Sequence, residues 1–298
     1  MTAYNQISSN KSKTFLILGL FVVVISGFFY LVGQFMGSAE GYLIAGILIS
    51  LISTVGSYFY SDKIVLLTTG AKPADKRQFF DLYTVTENLS LAAGLPMPRV
   101  YVINDPSPNA FATGRDPKHA VVVATTGLLE RLDRTELEGV IAHELSHVKN
   151  YDILVSSIVA VLVGSIALAS DWIMRSFWWR RIGGDRDNRS RSPLFFALFI
   201  LVLIITPIIA TLIQLAVSRR REYLADASGS LITRYPEGLA RALEKIASYP
   251  VPLQRATTST AHLFIANPLN KQKMSSWVVS LFSTHPPIDE RIKILRSM

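Results

Sequence analysis

Four long stretches of this chain carry no charged side chain, and they restrict its folds more than any other feature. Thr14 to Ala39 is uncharged, with a centre that reads FLILGLFVVVISGFFYLVG. Gly41 to Ser61 and Ser192 to Ser218 are also uncharged; Ile153 to Ser170 is shorter but extends past Asp171 through Trp172 to Met174. A bilayer core needs about 20 apolar residues as helix, so each stretch predicts a transmembrane or membrane-embedded helix. The first is too long for the apolar region of a signal peptide, and no small-residue cleavage site follows it cleanly. The last two lack the polar face of helices lining a soluble core. Charged residues make up only 17% of the chain, against roughly 25% in ordinary soluble domains. The expectation is an α-helical membrane protein with four such helices.

A soluble body is divided among these runs. Residues 1–61 read as an anchor of two transmembrane helices, and 62–152 as the first part of a folded domain. Residues 153–218 read as a membrane hairpin, and 219–298 as the second part of that domain. Within the first part, Asp75 to Ala93 has helical periodicity and stops at Gly94. RVYVIND (99–105), NAFATG (109–114) and HAVVVATTG (119–127) read as short strands between Pro, Asp and Gly turns. Asp133 is placed to cap the next helix, with Glu136 at capping-box spacing. Beyond the fourth run, Arg219 to Arg234 and Pro236 to Tyr249 read as helices, as does Pro286 to Ser297. Pro250 to Ser276, rich in Ser, Thr, Asn and Pro, reads as a mobile loop.

The capped helix carries HELSH, with His143 and His147 four residues apart. That spacing puts both imidazoles on one helical face, where they can reach one ion. The chain has no cysteine, so a metal has to be held by His, Asp or Glu, and a thiol nucleophile is excluded. Zinc suits nitrogen donors, and a catalytic zinc keeps one position for water. Glu144 adjoins His143 and can reach that water as general base; His-Glu-x-x-His on a helix is the pattern of that chemistry. A third ligand must come from elsewhere. SRRREYLADASGS (218–230) offers Glu222 and Asp226, again four apart: one to bind the metal, the other to accept a hydrogen bond from a ligand imidazole. His147 precedes the third apolar run by six residues and Glu222 follows the fourth by four. An apolar hairpin that leaves and returns therefore brings them to similar depth. His285, in STHPP, is a candidate transition-state donor or a plain cap-region residue. Asn109 is a candidate for substrate backbone, with a turn role as the simpler reading. His119 and His262 read as structural or solvated, and Ser146 has no free base.

NAFATG, HELSHVKNYD, RRREYLADASG and LFSTHPPIDERI, in this order, closely resemble the HtpX-type membrane zinc metalloproteases of peptidase family M48. The resemblance covers nearly the whole chain. It implies an α+β zincin-like catalytic domain, one Zn2+ held by His143, His147 and Glu222, and Glu144 as catalytic base. It also implies Asp226 behind a ligand histidine, and hydrolysis of misfolded or damaged membrane proteins in the quality control and stress response of a bacterial inner membrane. The strand around Ala120 to Ala124 is expected to offer its edge to an extended substrate. The loop 250–276, with His285 after it, is the kind of segment that covers a site and moves.

Two rival classes remain. A coupled transporter would need ionisable groups within its spans, and the apolar runs contain none except Asp171 near the end of the third. A metal-dependent scaffold or chaperone without turnover is the other. The net charge of +8 comes without an aromatic-basic recognition pattern, so juxtamembrane Lys and Arg meeting anionic lipid explain it better than nucleic acid does. The expected partners are therefore the bilayer, unfolded membrane-protein substrates and, in addition, a second copy of the chain. Lys11 and Lys13 put the N-terminus and the catalytic body on the cytoplasmic side. Counting four spans then puts 175–192 outside, although that segment holds six arginines. A full crossing is expected, with a hairpin that dips in and returns as its competitor.

Overall fold

The computed structural model describes residues 3–182, 219–249, 251–268 and 286–298. The fourth apolar run, His285 and most of the arginine-rich segment lie outside the described residues.

Helices α1 (Ala3–Met36) and α2 (Ala39–Thr69) are the first two apolar runs. Among the described residues they supply the two helices long and apolar enough to cross a membrane, Ile7–Leu31 and Ala39–Thr69. Leu16, Val23, Ile44 and Ile52 project outward from them, more than half exposed. That suits side chains whose solvent is lipid. α2 runs on past Ser61 and stops at Gly70, whose φ of 70° is left-handed.

A four-stranded sheet follows: β1 (Lys72–Pro73), β2 (Arg99–Ile103), β3 (Ala110–Thr113) and β4 (Val121–Thr125), in spatial order β1-β2-β4-β3. β4 runs parallel to β2 and antiparallel to β3. Its residues are all buried, as its uninterrupted apolar run requires of a central strand. This corrects one expectation. β4 has neighbours on both sides and no edge to offer; the outer strand on that side is β3, because NAFATG folds back as its antiparallel partner. A second correction concerns α3, which spans Phe80–Ala93. Asp75 instead folds a turn, its carboxylate accepting the N–H groups of Arg77 and Gln78.

After α4 (Thr126–Arg131) comes α5 (Arg134–Lys149), the helix of the HELSH motif. Its start is the expected capping box: Asp133 Oδ1 accepts the Glu136 N–H at 2.9 Å, and Glu136 Oε2 accepts the Asp133 N–H at 2.8 Å. Leu137, Val140, Ile141, Leu145 and Val148 join α3, the sheet, α8 (Pro236–Ala247) and α9 (Ile288–Leu295) in one core. α5 meets α6 (Asp152–Ile182) at an 85° bend. The third apolar run thus begins inside the protein. Leu154, Ile158 and Leu162 pack with Ile17, Leu18 and Phe21 of α1.

α7 (Arg219–Thr233) crosses α5 closely. A methyl group on Gly229 would stand 3.0 Å from the His143 nitrogen and 3.2 Å from the Ala142 carbonyl carbon. A mid-helix glycine costs about 1 kcal/mol against alanine. Here it admits the backbone approach that brings 222–226 over the two histidines.

Candidate metal centre

His143 and His147 leave α5 on one side, and Glu222 enters from α7. One ligand atom from each lies within 4.8 Å of the other two. His143 Nε2 is 3.2 Å from His147 Nε2 and 3.8 Å from Glu222 Oε2; His147 Nε2 is 3.5 Å from Glu222 Oε1. A tetrahedral zinc with bonds of about 2.0–2.1 Å sets its donors about 3.3 Å apart. The two nitrogens have that spacing, and each has a different Glu222 oxygen 3.5–3.8 Å away, so a small inward shift of the carboxylate lets the residues fit the ion.

The far side of each imidazole is held by a carboxylate. Asp226 Oδ1 is 2.8 Å from His143 Nδ1, and Asp152 Oδ2 is 3.0 Å from His147 Nδ1. Each Nδ1 therefore carries the proton, and the Nε2 atoms face the cluster. Asp226 stands where one of the two alternatives for α7 put it. Asp152 was missed, although it lies five residues after His147 at the start of the third run.

Arg291 was missed as well. This guanidinium is fully buried. It donates Nε to Asp226 Oδ2 at 2.8 Å and Nη2 to Asp226 Oδ1 at 2.7 Å. Its Nη1 donates to the Ile265 carbonyl at 3.1 Å and stands 3.7 Å from Glu222 Oε2. In the sequence it is one arginine in a short amphipathic helix, with no spacing signal to mark it.

Glu144 is 2% exposed and lines the same cavity as the three donors. Burial pushes its carboxyl up to about 7, helped by the negative Glu222 and opposed by His147 and by the Ala112 N–H on β3. Burial also works against charge on His147, but its hydrogen bond to Asp152 and the carboxylates of Glu222, Asp152 and Glu144 prevail and raise it to about 9. His143 is lowered, burial outweighing Asp226. A charged His147 then donates from Nε2 to the His143 Nε2 lone pair, and a cation has to displace that proton. Asp226 goes the other way: burial would raise it, yet the Arg291 charge and the hydrogen bonds from His143 and Arg291 bring it down to about 2.

These shifts predict how the metal-free protein responds to pH. Glu144 and His147 bind protons more tightly folded than unfolded. Their contributions are complete below the ordinary values of 4.5 and 6.5 and are lost as pH rises through about 7 and about 9. Asp226 contributes above 3.8 and loses its contribution as pH falls through about 2. His143 shifts the other way and its contribution is complete only above 6.5, so thermal unfolding of chelator-treated protein should show a midpoint that falls from pH 6.5 to pH 9. A midpoint that rises across that window would contradict this electrostatic account.

The segment expected to be a mobile loop is instead packed over the site where it is described. Ala261–Leu263 makes a 3-10 turn, and 261–266 are buried. The Ile265 N–H donates to the Ala110 carbonyl on the outer edge of β3 at 2.9 Å. Phe264 stacks edge-on against Phe111, centroids 4.9 Å apart. Asn109 clasps the next residue: its Nδ2 donates to the Ala266 carbonyl at 3.0 Å, and its Oδ1 accepts the Ala266 N–H at 3.4 Å. Asn109 thus holds the chain's own backbone at Ala266, and its amide is taken up there. His262 lines the metal cavity and contacts the Ser156 carbonyl at 3.1 Å. The cavity left beneath is about 30 Å³, room for a water and not for a peptide. His119 lies away from it, paired with Asp116 and Arg115.

Comparison with known proteins identifies the family. The profile of Peptidase family M48 matches residues 76–298. A protein named Protease HtpX homolog from Tropheryma whipplei (strain TW08/27) is 48% identical over 295 residues, spanning 99% of this chain and 98% of its own. Another of that name, from Caldanaerobacter subterraneus subsp. tengcongensis, is 47% identical over 302 residues, 100% of this chain and 98% of its own. A crystal structure of S. mikatae Ste24p aligns with 98% of this chain and 67% of its own at 18% identity and a TM-score of 0.49, a likeness too loose to bear on the chemistry. With two apolar helices leading into a His-Glu-x-x-His helix, and with relatives matched from end to end, the chain belongs to peptidase family M48, among its HtpX-type members.

Proposed function

We propose that this protein is a membrane zinc endopeptidase. In this reading His143, His147 and Glu222 bind the metal and Glu144 is the catalytic base. The observation that carries it is the convergence of two imidazole nitrogens and a carboxylate within 3.2–3.8 Å, with a buried carboxyl near neutrality in the same cavity. Zinc held there would polarise the scissile carbonyl and acidify the attacking water. Glu144 accepts the water's proton and later returns it to the leaving amine nitrogen; an acid-base group near pH 7 suits both steps. Asp226 and Asp152 keep the two imidazoles in register, and Arg291 holds Asp226 in place.

The substrates of this reading are misfolded or damaged membrane proteins of a bacterial inner membrane, in a quality-control and stress-response role. Lys11 and Lys13 favour a cytoplasmic catalytic body. An extended chain recognised through its backbone would pair with the outer edge of β3, now covered by 264–266. Entry of substrate therefore requires that cover to leave. The direct test is incubation of the detergent-purified protein with an unfolded membrane protein, with and without a chelator. Cleavage that survives complete metal removal would refute the metallopeptidase reading.

The cover has its own test. Ile265→Pro removes the N–H that pairs with Ala110, and Phe264→Ala removes the stacking on Phe111. Both variants should cleave a short unstructured peptide faster than the wild type at equal zinc content. Slower cleavage with full zinc occupancy would mean that 264–266 supports the site and does not block it.

A further inference from the structure

Asn10 lies near the start of the first membrane helix, far in sequence from the metal cluster, yet it is only 2% exposed. A primary amide has two N–H donors, and Asn10 Nδ2 contacts two oxygens: the Asn150 carbonyl at 2.9 Å and Asp152 Oδ1 at 2.7 Å. Both partners are acceptors, so the amide nitrogen must be the atom that faces them. The other oxygen of Asp152 meets His147 Nδ1 at 3.0 Å. An unbroken path of amide, carboxylate and imidazole thus runs from α1 to the metal cluster.

The two acceptors flank the 85° bend between α5 and α6. The residue between them, Tyr151, has a φ of +60°. That conformation is strained for a side chain without special reason to adopt it, and it persists only where the surroundings hold it. Asn10 grips the backbone on one side of Tyr151 and the side chain on the other, while Lys11 Nζ lies 4.7 Å from the centre of the Tyr151 ring. Arg221 Nη1 approaches Asp152 Oδ1 at 3.4 Å from α7. Asp152 is therefore fixed by groups from α1 and α7 before it meets His147.

We infer that Asn10 is a positioning residue for the metal centre: through Asp152 it holds His147 with Nε2 turned to the cluster, which makes the first membrane helix a structural part of the site. The inference rests on the zinc reading above.

The test is zinc affinity, by chelator competition on the full-length protein in detergent. Loss of a group that hydrogen-bonds a ligand directly costs about 10–100-fold, and Asn10 is one bond further out. Asn10→Ala should therefore weaken zinc about 10-fold. Asn10→Asp keeps the shape but turns a carboxylate toward Asp152, and should weaken it at least as much. Ile17→Ala is the packing control. Ile17 is fully buried on the same helix, packed with α6, and touches none of the polar path; this variant should bind zinc as the wild type does. In the cobalt-loaded protein, Asn10→Ala should shift the visible absorption bands and Ile17→Ala should not. Wild-type affinity in both Asn10 variants overturns the inference while leaving the zinc reading intact, and so does an equal loss in Ile17→Ala. Failure of the wild type itself to bind zinc overturns both.

Discussion

Replacing Glu144 by glutamine should abolish cleavage and leave zinc binding intact. Glutamine has the shape of glutamate and fits a cavity in which the side chain is 2% exposed. It can still accept the Ala112 N–H through its carbonyl oxygen, but it cannot take a proton from water near neutral pH. Removal of a general acid-base group typically costs about 10²–10⁴ in rate, and here one carboxyl serves both proton transfers. The folded protein gains stability, because a buried group that strains to ionise becomes neutral. The measurements are peptide cleavage and zinc content on the same sample. Cleavage at wild-type rate would remove Glu144 from the mechanism. A zinc-free variant would mean that the carboxylate is needed to hold the ion. If neither protein cleaves any peptide while both bind zinc, the metal-dependent scaffold becomes the better reading.

Loss of the third ligand should be nearly as severe. Glu222→Ala removes the only carboxylate in the donor triangle, together with the negative charge that balances a divalent ion in a buried site. Zinc affinity should fall by more than the 10–100-fold typical of a hydrogen-bonding partner, and activity should fall with it. Full zinc occupancy in this variant would sink the assignment. Asp226 makes an instructive contrast. From its place behind His143 it would be the milder substitution, but the structure shows that it also neutralises Arg291, which is fully buried. Asp226→Ala strands that guanidinium, and breaking such a pair costs about 3–5 kcal/mol. Its damage should appear first in thermal stability, whereas Glu222→Ala should appear first in metal content.

The sequence was informative wherever the physics is local. An apolar run of membrane length, a capping box and two histidines at helical spacing each act within a few residues. α1, α2 and the start of α5 stand where those patterns put them. The approach of Glu222 and Asp226 to the histidines was also expected, because the two apolar runs between them were read as a hairpin that leaves and returns. Less was legible in polar segments with no periodicity. Residues 261–266 sit among Ser, Thr and Pro that suggest a loop, and their burial depends on Ala110, Phe111 and Asn109, about 150 positions earlier.

By itself, then, the sequence determined the first two apolar helices and the capped helix with its two histidines, since each follows from side-chain type at short spacing; for the third ligand the residues alone offered Glu222 or Asp226, and the family resemblance implied Glu222. Only the tertiary structure decided which strand is outermost, which carboxylate stands behind which imidazole, and what lies over the site. Those depend on contacts between residues far apart in the chain, which no local pattern records. Gly229 illustrates the difference. In sequence it is a weak point in a helix; in the fold it is the gap that lets α7 reach α5.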